Sequence, residues 1–158
     1  MKIISALYDP ITIIKSIMKY LLLPVIFLIS HLANAQSSSD VVNNFFKALN
    51  QKNTSIIDSL TLDNLKLHSL QLQPKASLSF STKQDFLNSL KSIPENINIE
   101  EQIFNIDSLV SKHFAQYSIP YKFYVNGELS HSGTNVLTLI NIDNRWLISY
   151  IADTRIKQ

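Results

Sequence analysis

The chain has no cysteine, only two glycines and little charge. Each shortage removes a class of function. Without cysteine there is no disulfide framework, no thiolate metal site and no cysteine nucleophile. With Gly127 and Gly133 as the only glycines, neither GxGxxG nor GxxxxGK(S/T) can be written, which excludes the Gly-rich phosphate loops. Charged residues make up 16% of the 158, and the formal net charge is +2, too small an excess to gather nucleic acid. His68, His113 and His131 show neither HxH nor HExxH spacing, so no metal and no cofactor is implied.

Residues 1–35 read as an address. An apolar stretch of thirteen residues, Tyr20–Leu32, follows Lys15 and Lys19 and is itself followed by Ala33-Asn34-Ala35, then Gln36 and three serines. A positive flank, a short apolar run and an A-x-A site make a secretory signal peptide, cut after Ala35. A spanning helix needs about 20 apolar residues, and Pro24 interrupts this shorter run. Seventeen residues before Met18-Lys19 are long for the positive region, which makes Met18 a candidate true start. Cleavage removes Lys2, Lys15, Lys19 and Asp9, leaving 11 basic and 11 acidic residues. The exported, periplasmic or secreted protein is then formally neutral, with no charge excess for nucleic acid or an anionic membrane.

Beyond a leader, 36–39, expected to be disordered, one domain spans 40–158. Val41, Val42, Phe45, Phe46 and Leu49 recur at helical spacing, with Asp40 as the expected N-cap. Asn50–Asn53 breaks that helix and Thr54 caps a second. Leu65–Leu70 and Ser77–Phe80 read as strands around Gln73-Pro74-Lys75, and Ser81–Gln84 opens a third helix that Pro94 ends. Period two then takes over. Ile97–Ile106 reads as one strand bulged near Glu100–Gln102, and Val110–Tyr124 as the next. Asn126-Gly127 and Asp143-Asn144 separate this strand, Leu129–Ile142 and Arg145–Asp153 as hairpin turns. Segregated helices and four long antiparallel strands predict an α+β fold.

Phe45-Phe46-Lys47-Ala48-Leu49-Asn50, Tyr121–Gly127, Ser130-His131-Ser132-Gly133, Arg145–Ile148 and Asp153-Thr154-Arg155 together give the domain its resemblance. It resembles exported bacterial members of the nuclear transport factor 2-like superfamily, with its ketosteroid isomerases and SnoaL-like cyclases. The resemblance covers about Asp40–Arg155. It implies a cone-shaped half-barrel, a curved antiparallel sheet packed on about three helices, with an apolar pocket between the layers and frequent dimerisation through the sheet. It carries no single activity, because this fold hosts many.

Ketosteroid isomerase chemistry needs a carboxylate base, a Tyr hydroxyl and a neutral carboxylic acid. The resemblance puts Phe45 where those enzymes carry the tyrosine, and Ser69 near the base, with His68 the only titratable neighbour. Both departures argue against that chemistry, and no catalytic residue is assigned. His113, Tyr117 and Tyr121 share one strand face if no bulge intervenes. They can line a polar-tipped pocket or simply pack on helices. Counting residues back from the turns places His131-Ser132-Gly133 beside Asp153-Thr154-Arg155, with Asp153 or a tyrosine expected to bond His131. No Gly-x-Ser-x-Gly elbow accompanies them, so a triad is not indicated.

The candidate pocket residues are therefore Phe45, His68, His113, Tyr117, Tyr121 and His131. The expected function is binding of a small apolar or aromatic ligand between sheet and helices, in a homodimer, without demonstrable catalysis. One alternative is an isomerase-, dehydratase- or cyclase-type enzyme using His68, Asp107 or His131. It requires a titratable group facing the cavity with a hydroxyl in reach. The other is a protein-interaction module using an open sheet face.

Overall fold

Three capping side chains set the helices. In a computed structural model that describes residues 36–157, α1 (Ser38–Asn50) begins with a capping box. Ser37 Oγ accepts from the Asp40 N–H at 3.1 Å while the Asp40 carboxylate accepts from the Ser37 N–H at 3.0 Å. Asp40 is thus the third helical residue and not the cap. Ser38 and Ser39, expected in a disordered leader, form the first helical turn. The serine bonds hold the Asp40 carboxyl below the usual carboxylate range. Asn53, one residue before the expected cap, accepts from Ile56 to start α2 (Thr54–Leu60). Thr82 and Asp85 repeat the capping box at α3 (Lys83–Lys91). The signal peptide and the Met18 start fall outside the described residues.

The strands are β1 (Thr61–Gln71), β2 (Ser77–Thr82), β3 (Ile99–Ile103), β4 (Asp107–Val110), β5 (Phe114–Val125), β6 (Glu128–Ile142) and β7 (Arg145–Lys157). The single bulged strand expected over 97–106 is two strands. Asn105, at φ 39°, turns the chain between β3 and β4, and both pair with β5. Positive φ at Asn126 (51°), Gly127 (84°), Asp143 (51°) and Asn144 (62°) makes the two hairpin turns at the expected places.

These seven strands form one curved, unclosed sheet in the order β2-β1-β7-β6-β5-β3, with β4 also on β5. It is mixed, correcting the expected antiparallel sheet: β1 and β7 run parallel, with His68 opposite Ala152 and Ser69 opposite Asp153. Direction at that join is set by strands far apart in sequence, which local periodicity does not report.

Alternation sorts the side chains onto two faces. One face carries Leu65, Leu67 and Ser69 of β1; Ile99 and Glu101 of β3; Ala115, Tyr117, Ile119, Tyr121 and Phe123 of β5; Asn135, Leu137 and Leu139 of β6. It packs against Val41, Val42, Phe45, Phe46 and Leu49 of α1, with Ile57 of α2 and Leu90 of α3. On the other face, which carries no helix among the described residues, register pairs His68 with Phe80, Leu70 with Leu78 and Leu109 with Gln116. Leu78 is 68% exposed, Phe80 80% and Leu109 76%, against full burial of Leu137 and Leu139 on the helix-covered side.

Candidate functional site

Sheet curvature leaves a gap beneath α1 and α3. It is a cavity of about 380 Å³, walled by Phe45, Phe46 and Leu49 of α1, Phe86 and Leu90 of α3, and Leu67, Ile99, Phe123 and Ile151 of the sheet. Phe45 and Phe86 stack with centroids 6.3 Å apart. Most of the cavity is therefore apolar. Its polar groups are Ser69, Ser79, Ser81, Glu101, Tyr121, His131, Asn135, Asp153 and Arg155 of the strands and Ser89 of α3, with all the ionisable ones on strands.

The polar groups form two linked sets. In the first, Asn50 Oδ1 accepts from the Glu101 N–H at 2.7 Å and Asn50 Nδ2 donates to the Glu101 carbonyl at 3.2 Å. This fastens β3 to the end of α1 and fixes which face Glu101 takes. Asn135 Nδ2 then donates to Glu101 Oε1 at 2.6 Å. In the second, Asp153 is the hub. Its Oδ2 accepts from Arg155 Nε at 2.6 Å and lies 3.2 Å from the Tyr121 hydroxyl; its Oδ1 accepts from Ser69 Oγ. Arg155 Nη2 also donates to Ser69 Oγ at 3.2 Å, and the Thr154 carbonyl lies 3.0 Å from the Tyr121 hydroxyl.

Burial decides the charges. It pushes the Glu101 carboxyl up to about 7, helped by Asp153 and opposed by the Asn135 bond and Arg155. Burial, with the Asp153 and Glu101 charges, pushes the Tyr121 phenol upward, so it stays protonated. Burial and Arg155 hold His131 below its ordinary value and keep it neutral at pH 7.

Gly133 allows this arrangement. A Cβ there would lie 1.8 Å from the Thr154 carbonyl oxygen. The backbones of β6 and β7 thus approach closely at Gly133, next to the point where the Thr154 carbonyl meets the Tyr121 hydroxyl.

Of the six candidate residues, Phe45, Tyr121 and His131 line the cavity. Three do not. His68 lies on the opposite sheet face, 5.5 Å from the Tyr150 ring and 6.4 Å from the Phe80 ring, with Nδ1 buried and unpartnered among the described residues. Its strand position has the wrong parity: the neighbours Leu67 and Ser69 face the cavity. His113 sits in the exposed turn before β5, because that strand starts at Phe114 and not at Val110. Tyr117 faces inward but is buried below the cavity, its hydroxyl 2.7 Å from Ser38 Oγ. Asp107, named for the enzyme alternative, is exposed on β4. His131 bonds neither Asp153 nor a tyrosine among the described residues; it stacks on Phe123 at 4.9 Å, and its Nδ1 lies 3.2 Å from Ser130 Oγ.

Glu101 and Asn135 went unnoticed in the sequence. The signal for Glu101 is Ile99-x-Glu101-x-Ile103, an acid at period two between apolar residues that turn inward. No three His, Asp or Glu side chains converge as metal ligands among the described residues. Nor is any described helix long and apolar enough to cross a membrane.

No family model matches the sequence, and no curated protein matches it. Solved structures do match. A nuclear transport factor 2-like protein from Cytophaga hutchinsonii aligns at TM-score 0.60 and 12% identity, covering 74% of this chain and 93% of that one. A candidate dehydratase of the same family from Streptomyces avermitilis aligns at TM-score 0.57 and 13% identity, over 75% and 92%. The chain has the nuclear transport factor 2-like fold. The beta subunit of a candidate aromatic-ring-hydroxylating dioxygenase from Novosphingobium aromaticivorans shares it, at TM-score 0.61, 10% identity and coverage of 82% and 93%. Identities this low carry the fold alone. Phe45 and Ser69, the positions at which the resemblance led to the expectation of a missing tyrosine and base, both face the cavity.

Proposed function

We propose that this protein is an exported small-molecule-binding domain whose ligand occupies the cavity between sheet and helices. One observation supports it above the rest: about 380 Å³ of space is walled by phenylalanines and aliphatic side chains and carries polar groups from the strands. That is the ordinary make-up of a ligand site, apolar walls with a few fixed polar groups. Native mass spectrometry of protein purified from its own cells tests the reading. A bound mass released on denaturation, and lost when Phe45 or Phe123 becomes Trp and fills the space, supports it. A cavity that takes up neither a native ligand nor an aromatic probe contradicts it. Export is tested on the same sample, whose first residue is expected to be Gln36.

We propose a homodimer as well: Leu78 and Phe80, two residues apart on the outer face of β2, leave an exposed apolar edge for a second copy to cover. A monomer by light scattering at tens of micromolar contradicts that part.

The enzyme alternative gains from one finding: a carboxyl group, Asp153, faces the cavity with a tyrosine hydroxyl 3.2 Å away. Glu101, whose carboxyl burial pushes up to about 7, is then the cavity group suited to proton transfer near neutral pH, while His68 and Asp107 do not line the cavity. Deuterium uptake by cyclic ketones in D₂O, abolished in Glu101→Gln, supports this reading; exchange at the buffer rate removes it.

A further inference from the structure

We propose that the ligand carries a protonated amine on an apolar, ring-bearing body, with the ammonium seated on the Glu101 carboxylate. The inference rests on the small-molecule reading above and says which chemistry that cavity selects. It starts from which polar atoms remain free. Asp153 is fully engaged, accepting from Ser69, from Arg155 Nε and from the Tyr121 hydroxyl. Arg155 gives Nε to Asp153 and Nη2 to Ser69, so its charge is already matched. Tyr121 has one proton and two acceptors within 3.2 Å, Asp153 Oδ2 and the Thr154 carbonyl, so it has none to spare for a ligand. His131 is neutral at pH 7. The Asn135 amide nitrogen is spent on Glu101 Oε1. Glu101 Oε2 has no hydrogen bond among the described residues.

Charge follows the same logic. Asp153 and Arg155 cancel, leaving Glu101 as the acid without a counter-charge among the described lining residues. A ligand carboxylate or phosphate would meet no unpaired Lys or Arg among those residues and would face a second acid. An ammonium supplies the counter-charge that the buried carboxyl lacks, and charge-assisted bonds of this kind are the strong ones. The walls suit the same ligand, since the Phe45, Phe86 and Phe123 rings offer faces to a cation or to an aromatic body. Groups facing Glu101 from the neighbouring elements are Asn50 of α1, Tyr121 of β5, Asn135 of β6, and Asp153 and Arg155 of β7. None of them supplies an unmatched positive charge.

Three probes of one shape and different heads test it by calorimetry: naphthylethylamine, naphthylethanol and naphthylacetate. At pH 8 the amine is expected to bind about tenfold tighter than the alcohol, with the acetate weakest. Seating the ammonium requires ionised Glu101, so amine affinity is about tenfold lower at pH 6 than at pH 8, and binding at pH 7 releases about half a proton. Alcohol binding shows no such release. In Glu101→Gln the amine falls to the affinity of the alcohol. Should that variant fail to fold, the proton release of the unmodified protein, read in two buffers of different ionisation heat, decides the matter. Alcohol binding equal to or tighter than amine binding overturns the amine inference and leaves the small-molecule reading standing. Failure of all three probes overturns both.

Discussion

The two faces of the sheet are built from the same strands and differ by one residue of register. Leu67 and Ser69 look into the cavity; His68 and Leu70, their neighbours, look out onto the helix-free side. The inner face carries two hydrogen-bonded sets, Asn50-Glu101-Asn135 and Ser69-Tyr121-Asp153-Arg155, beneath α1 and α3. The outer face carries exposed Leu78, Phe80 and Leu109 and a histidine nitrogen with no partner among the described residues. Precise placement of polar atoms is concentrated where a small ligand would lie.

Gly133→Ala should break the inner face most. Its Cβ would meet the Thr154 backbone carbonyl at 1.8 Å, so β7 must shift. A loss of about 3 kcal/mol in urea unfolding is expected, together with loss of probe binding. The control is Gly127→Ala, where nothing lies within 4 Å and only the positive φ of 84° is strained. That variant should lose about 1 kcal/mol and keep its ligand site.

Glu101 gives the next effect, and its sign is distinctive. Its folded-state value, about 7, lies above the ordinary 4.5 of an exposed glutamate, so the folded protein holds this proton more tightly than the unfolded chain does. The resulting stability is full below the unfolded value and is lost as pH rises toward 7. Integrated, the loss is about 3 kcal/mol between pH 4 and 8. Asp40 and Asp85, whose values are lowered by their capping bonds, act in the opposite direction, losing stability as pH falls. The measurement is therefore the difference between the unmodified protein and Glu101→Gln across that range. A flat difference contradicts the burial of Glu101.

Tyr121→Phe removes the hydroxyl between Asp153 and the Thr154 carbonyl, and a loss of about 1 to 2 kcal/mol is expected. The smallest effect belongs to the outer face. His68→Leu should change stability by no more than about 0.5 kcal/mol and leave probe affinity untouched. A large loss of binding there would erase the distinction between the faces.

The parts of this layout legible in the sequence are those set by local chemistry. Asn126-Gly127 and Asp143-Asn144 announce their turns because only such residues accept positive φ cheaply. The α1 stripe and the Gly133 contact are readable for similar reasons. Strand parity is not local. Period two groups Glu101 with Ile99 and Ile103, but that reading holds only if no bulge intervenes, and the Asn50 bonds to the Glu101 backbone, 51 residues apart in sequence, are what hold β3 in that register. The same limit misplaced His68, and the unforeseen turn at 111–113 put His113 outside β5. Tyr117 was placed on the right face, but its depth depends on Ser38, a residue expected to be disordered. The register expected from the Asp143-Asn144 turn is off by one: an irregularity between Thr138 and Leu139 sets His131 opposite Lys157 and Asp153 opposite Asn135, and Asp153 bonds Tyr121 rather than His131.

Amide chemical-shift mapping with naphthylethylamine tests the central claim most directly. Shifts concentrated at Glu101, Tyr121, Phe123 and Asn135, with His68, Leu70 and Tyr150 unmoved, are the predicted result. Shifts centred on the outer three, or none on the inner face at saturating probe, would contradict it.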